Sequence, residues 1–129
     1  MKNKKGFTLI ELLAVIVILA IIAVIATPII LGIVNSARED AKLRSVELYA
    51  SELERAYMQD QMKATPEITA SGTTIDLSAL SNDITMNGET VACTGGMSIN
   101  ATTGKITLAG CSVGGVAGFS YENGEAKKA

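Results

Sequence analysis

The protein has 129 residues, with 11 Lys and Arg against 13 Asp and Glu and no His. That length holds one compact domain, or a small domain and an anchor. The missing His removes the usual general base and the commonest metal ligand, and the slightly acidic balance is a poor match for a phosphate backbone.

Met1-Lys2-Asn3-Lys4-Lys5-Gly6 reads as a basic leader, residues 1–6. In an ordinary secretory signal a short apolar core comes next and a small-residue cleavage site follows it. Here the small residue, Gly6, precedes a much longer apolar run. A peptidase cutting after Gly6 would therefore leave the hydrophobic segment on the mature protein; the plainer reading is an uncleaved signal anchor. The three lysines are expected to stay cytoplasmic and send the C-terminal part outward.

From Phe7 through Ala37 the only charged residue is Glu11. A carboxylate deep in a membrane helix costs roughly 2.5–3.5 kcal/mol on insertion scales, so a charge kept there is expected to have a partner and a purpose. Residues 7–34 form the expected membrane segment. Leu12–Val34 carries no charge, and at about 1.5 Å per residue it spans the roughly 30 Å hydrocarbon layer. It is apolar on every face, so lipid or other protein must surround it. Pro28 removes an amide donor and crowds the carbonyl of Val24, and Gly32 adds a second weak point one turn on. Either this is a tolerated kink or the segment can unwind when its neighbours change.

Residues 35–61 continue the helical pattern with a different surface. Arg38–Gln61 has no Gly or Pro, and Val46, Tyr49, Leu53 and Ala56/Tyr57 recur on one face. Asp40–Arg44 and Glu52–Arg55 are spaced to support the solvent side. One helix from about Phe7 to about Gln61, roughly 80 Å long, is expected. Ala64-Thr65-Pro66 ends it, because the residue before proline disfavours helical geometry.

Residues 62–129 read as a globular head, with a connecting loop over 62–83 and an antiparallel meander over 84–129. Asp76–Leu80 suggests one helical turn inside the loop. Ile84–Met86 and Glu89–Cys93 flank Asn87-Gly88 in the pattern of a two-residue hairpin. Met97–Asn100 and Lys105–Leu108 suggest a second hairpin, and Val116–Tyr121 a last strand with a turn at Asn123-Gly124. The fold class is therefore α+β: a long N-terminal helix, apolar then amphipathic, packed on a small antiparallel sheet. A head with so few large apolar residues has a marginal core, so the helix stripe must supply half of it. If the head is exported, Cys93 and Cys111 are expected to pair, closing a loop worth about 3 kcal/mol.

No motif for chemistry is present. There is no Gly-rich phosphate loop, CxxC pair or GxSxG turn, so no catalytic, cofactor-binding or metal residues are assigned and an enzyme is not expected. Asp76 and Asp83 read as turn-forming residues, Asn100-Ala101-Thr102 as a chance match to a glycan acceptor, and Met58, Met62, Met86 and Met97 as gap-fillers.

With its short basic leader, the stretch Gly6-Phe7-Thr8-Leu9-Ile10-Glu11-Leu12 resembles the N-terminus of type IV pilins, and Pro28 stands where that family usually has a helix-softening proline. The likeness covers residues 2 to about 40, with a leader and apolar run similar to Gram-positive members; beyond it only the architecture is shared. The resemblance implies that a prepilin peptidase cuts between Gly6 and Phe7 and methylates the new Phe7 amine. Subunits then wait in the cytoplasmic membrane with the head outside. An assembly ATPase and its membrane platform add them to an extracellular helical homopolymer, in which Glu11 pairs with the Phe7 amine of a neighbour. The function implied is the major pilin of a type IV pilus, serving adhesion, motility or related surface roles. Two other readings remain: a pseudopilin of a type II secretion or competence DNA-uptake system, and a monomeric single-pass surface protein. Direct nucleic-acid binding is not expected of the acidic head.

Overall fold

In the computed structural model, residues 6–69, 71–84 and 86–129 are described, with the Asp83 backbone but not its side chain. Lys2, Lys4 and Lys5 and the Thr85 position of the expected first hairpin lie outside them. Helix α1 runs Leu9–Gln61, strand β1 Thr74–Asp76, a 3₁₀ turn Ser78–Asp83, and strands β2 to β5 Val91–Asn100, Ile106–Val113, Val116–Glu122 and Glu125–Lys128. The polypeptide divides into two compact units, residues up to Arg38 and residues from Glu39 onward.

The first unit is α1 from Leu9 to Arg38 with its lead-in. No residue of Leu12–Val34 is buried. The helix continues through Pro28 and Gly32 without a break. Pro28 leaves the Val24 carbonyl without its usual donor. One residue earlier, the Thr27 hydroxyl donates to the Ala23 carbonyl at 2.6 Å. A Cβ placed on Gly32 would meet open space, so no close contact among the described residues of this unit requires a glycine there.

The second unit holds the core. Its sheet is an antiparallel meander in the order β1-β2-β3-β4-β5. The C-terminal part of α1 contributes Val46, Tyr49, Ala50 and Leu53, all buried, while Ala56 and Tyr57 are partly exposed at the core's edge. They join Ile75, Leu77 and Leu80 from the first strand and turn, and Met97, Ile99, Ile106, Leu108, Cys111, Val113 and Phe119 from the sheet. The expected α+β packing of an amphipathic helix on a small sheet is what forms. Tyr49 also reaches the sheet through its hydroxyl, 3.3 Å from Met97 Sδ, and its burial raises the phenol pKa.

Several local expectations are corrected. The segment expected to be a plain loop contains β1, which pairs with β2 from Thr74↔Asn100 to Asp76↔Ser98. The helical turn falls at Ser78–Asp83, not Asp76–Leu80, because Asp76 accepts hydrogen bonds from the Ser78 amide and hydroxyl and so occupies a position ahead of the turn. Ile84 and Met86–Thr90 form no strand, and β2 instead runs unbroken from Val91 to Asn100. The C-terminal residues form β5, closed onto β4 by Asn123-Gly124, whose φ values are 55° and 89°. Arg44 pairs with Glu47 at 2.9 Å instead of Asp40, while Glu52–Arg55 pairs as spaced. Among the methionines, Met97 is buried, but Met58 and Met62 are exposed and fill no gap in the core.

Asn100 is occupied by its own turn. Its Oδ1 accepts from the Thr102 and Thr103 amides at 2.9 and 3.0 Å, which orders the connection between β2 and β3.

Candidate functional site

The residues that carry the sequence argument sit at the start of α1. Thr8 occupies the N-cap position, directly before the first helical residue Leu9. The Glu11 amide donates to Thr8 Oγ1 at 3.3 Å, and the Thr8 amide donates to Glu11 Oε2 at 3.1 Å. This is the reciprocal capping box of Thr-x-x-Glu, which satisfies two amides that would otherwise go unpaired at a helix start. The negative group also lies in the first turn, where the helix dipole favours it.

Glu11 thus has a partner within its own subunit, one that charge and hydropathy alone do not reveal. The signal is nonetheless local: a Thr three residues before a Glu, just ahead of an apolar run, is a helix-start pattern. Two carboxylate oxygens offer about four acceptor positions, so the bond to Thr8 leaves room for a further donor.

Around this turn the surface is apolar and uncovered. Phe7 is 92 % exposed, Leu9 84 % and Ile10 77 %. Phe7, Leu12, Ala14 and Val15 line a shallow apolar recess together with Glu11. Gly6 immediately precedes this turn and is exposed, with open space where a Cβ would stand. Farther along, α1 is long and apolar enough to cross a membrane. The two softening positions, Pro28 and Gly32, lie in the same apolar stretch, several turns beyond Glu11.

The other candidate residues belong to the second unit. Cys93 and Cys111 are directly opposite each other on β2 and β3 and are joined by a disulfide. Cys111 is fully buried in the core. Two carboxylates sort into turn roles: Asp76 holds Ser78, which lowers its pKa, and Asp60 closes the end of α1. Among the described residues no group of acidic, Cys or His residues is arranged to hold a metal ion.

Asp60 is only 1 % exposed. Its carboxylate accepts from the Ile68 and Glu67 amides at 2.9 and 3.0 Å and lies 3.2 Å from the Lys63 ammonium. Next to it, Gln61 Nε2 donates to the Ile68 carbonyl at 2.9 Å. The Ile68 amide is the strongest of the influences that hold the Asp60 carboxyl below the ordinary aspartate range; burial opposes it, and Glu67 and Lys63 add to it. No local sequence pattern marks this residue, because its donors arrive only when the backbone turns back after Pro66.

Residues 1–27 match the family model described as the prokaryotic N-terminal methylation motif. No curated protein and no solved structure matches the sequence. The matched segment contains the leader, Gly6, Phe7, the Thr8–Glu11 cap and most of the apolar run. A leader of this type goes with processing by a prepilin peptidase and assembly by a pilus or secretion system. The match is confined to this N-terminal segment, which is similar to the leader and helix start of type IV pilin and pseudopilin precursors; the long apolar helix leading into an antiparallel-sheet head is consistent with that likeness.

Proposed function

We propose that the protein is the major structural subunit of a type IV pilus. The prepilin peptidase cuts between Gly6 and Phe7 and methylates the Phe7 amine. The subunit rests in the cytoplasmic membrane with its head outside until an ATPase-driven platform adds it to a helical homopolymer. The observation that carries this reading is Glu11, a single charge beside a helix surface whose apolar residues are exposed among the described residues.

Physical chemistry supports the proposal. Lipid satisfies the all-round apolar surface of Leu12–Val34 before assembly, and parallel copies of the same helix satisfy it afterwards. Burying that surface in a bundle is favourable at about 25 cal/mol per Å² only relative to water, so the membrane-to-filament exchange is near neutral and must be guided by specific contacts. Cleavage creates an ammonium at Phe7, one residue from the Thr8 amide that Glu11 already holds. Glu11 can retain that bond and accept from the ammonium of an axially shifted neighbour. In a dry bundle an unmatched charge is costly, so this pairing fixes register more than it adds stability. Removing the leader also removes Lys2, Lys4 and Lys5, which hold the N-terminus at the cytoplasmic surface.

Three substitutions separate the charge from the cap. Glu11→Ala and Glu11→Val remove both, whereas Glu11→Gln keeps an oxygen able to serve a capping box. The expected outcome is leader cleavage in all three, read by N-terminal sequencing, with surface filaments lost in Ala and Val and strongly reduced in Gln. Wild-type filament yield from Glu11→Ala would contradict the proposal. Full yield from Glu11→Gln alone would assign Glu11 to capping instead of intersubunit pairing.

A further inference from the structure

The sequence contains two Asn-Gly pairs, and the fold places them in opposite situations. Asn123-Gly124 is the turn of the β4–β5 hairpin, held between the paired residues Glu122 and Glu125 with both φ values positive. Asn87-Gly88 lies in the irregular stretch ahead of β2. Asn87 and Gly88 are exposed, neither has a hydrogen bond among the described residues, and a Cβ placed on Gly88 would meet open space. What ties this stretch down comes after it: the Gly114 amide bonds the Thr90 carbonyl, and Glu89 pairs with Lys42 at 3.3 Å.

We infer that Asn87 is a site of spontaneous succinimide formation and deamidation, and that Asn123 is protected from it by the hairpin. The Gly88 amide nitrogen attacks Cγ of Asn87 and forms a C–N bond. The Cγ–NH₂ bond of Asn87 breaks, the proton from the Gly88 nitrogen goes with the leaving group, and ammonia departs. Water then opens the five-membered imide at either carbonyl, giving aspartate or isoaspartate at position 87. One water is consumed, one ammonia is released, and no oxidant or reductant is involved.

Glycine favours the reaction because it has no Cβ to hinder the ring closure, and the unbonded Gly88 amide need break no hydrogen bond to act as nucleophile. In the β4–β5 turn the backbone must first leave its paired geometry before the same ring can close. The product has a structural consequence. A new carboxylate two residues before Glu89 competes for Lys42, which links α1 to this stretch. The isoaspartate form also adds a methylene to the backbone there.

The test uses the full-length protein in detergent, incubated in mildly alkaline buffer and sampled over time by peptide mapping with mass spectrometry. The peptide containing Asn87 is expected to gain about 1 Da at least about tenfold faster than the one containing Asn123, the ratio set by a turn-opening cost of about 1.4 kcal/mol. In a denatured sample the two rates should converge. Asn87→Gln should abolish the early mass shift and leave the slow one at Asn123. Equal rates in the folded protein, faster change at Asn123, or an Asn87 that is stable when folded and reactive only when denatured would each overturn the inference.

Discussion

Glu11 and Asp60 are both carboxylates that accept backbone amides, yet their settings give them different work. Glu11 is exposed and shares its capping role with Thr8, so it retains capacity for another partner. Asp60 is enclosed, and the Glu67 and Ile68 amides and Lys63 all converge on it. Its lowered pKa has a definite sign for stability. The folded state binds the Asp60 proton less readily than the unfolded one. Its contribution is therefore complete above the ordinary aspartate value and is lost as pH falls through the lower folded value. Asp60→Asn places an amide donor against backbone amides and should lower the unfolding temperature by several degrees at neutral pH. Thermal unfolding against pH should show that gap shrinking in acid; a gap independent of pH would mean the charge is not what matters.

At the scale of elements, β2 and β3 depend on a close approach of two glycines. The register shifts between Cys93 and Gly96 and between Leu108 and Cys111. A Cβ on Gly95 would lie 2.8 Å from the Ala109 carbonyl carbon and oxygen, and Gly110 has φ 59° with Gly95 N 2.8 Å from its own Cβ position. Gly95→Ala and Gly110→Ala should each destabilise the head by about 1–3 kcal/mol, the usual range for forced overpacking. Thr107→Ala, on the exposed side of β3, should stay within about 0.5 kcal/mol. Urea unfolding of the full-length protein in detergent measures all three. The disulfide lies beside this bulge and ties the same pair of strands, contributing about 2–4 kcal/mol by restricting the unfolded state.

The same bulge explains what local sequence patterns do and do not disclose. The helix, its buried stripe and the Asn123-Gly124 turn are written in local spacing, and Val46, Tyr49 and Leu53 mark the face that packs. Strand β3 is legible only to Leu108, because its inward positions then jump from Leu108 to Cys111, which breaks a period of two. Strand β1 offers only Thr74-Ile75-Asp76 and exists because β2 presents an edge to it. Asn87-Gly88 carries the hairpin signal, but Ile84 and Met86, the described residues of the expected first strand, are not in a strand; β3 is the partner of Val91–Cys93, through Cys93↔Cys111. At the site, Phe7 and Glu11 are legible from charge and hydropathy. The Thr8 cap is legible from its spacing to Glu11, although the cost of a charge in lipid draws attention away from it.

For the whole molecule, the two units have unequal needs. The second, from Glu39 to Ala129, has its own core of buried Leu, Ile, Val and Phe and a covalent tie. The first has an apolar surface that is exposed among the described residues. A protein built this way is incomplete as a soluble monomer: lipid or like helices must finish it. A surface anchor needs only the lipid, and would have no use for a charge at Glu11 beyond capping; a filament subunit uses both.

Electron microscopy of sheared cell-surface material, labelled with antibody to residues 60–129, tests the central claim most directly. Long filaments decorated along their length are the expected result. Label confined to membranes, or to short stubs, would contradict the assignment as a major pilin.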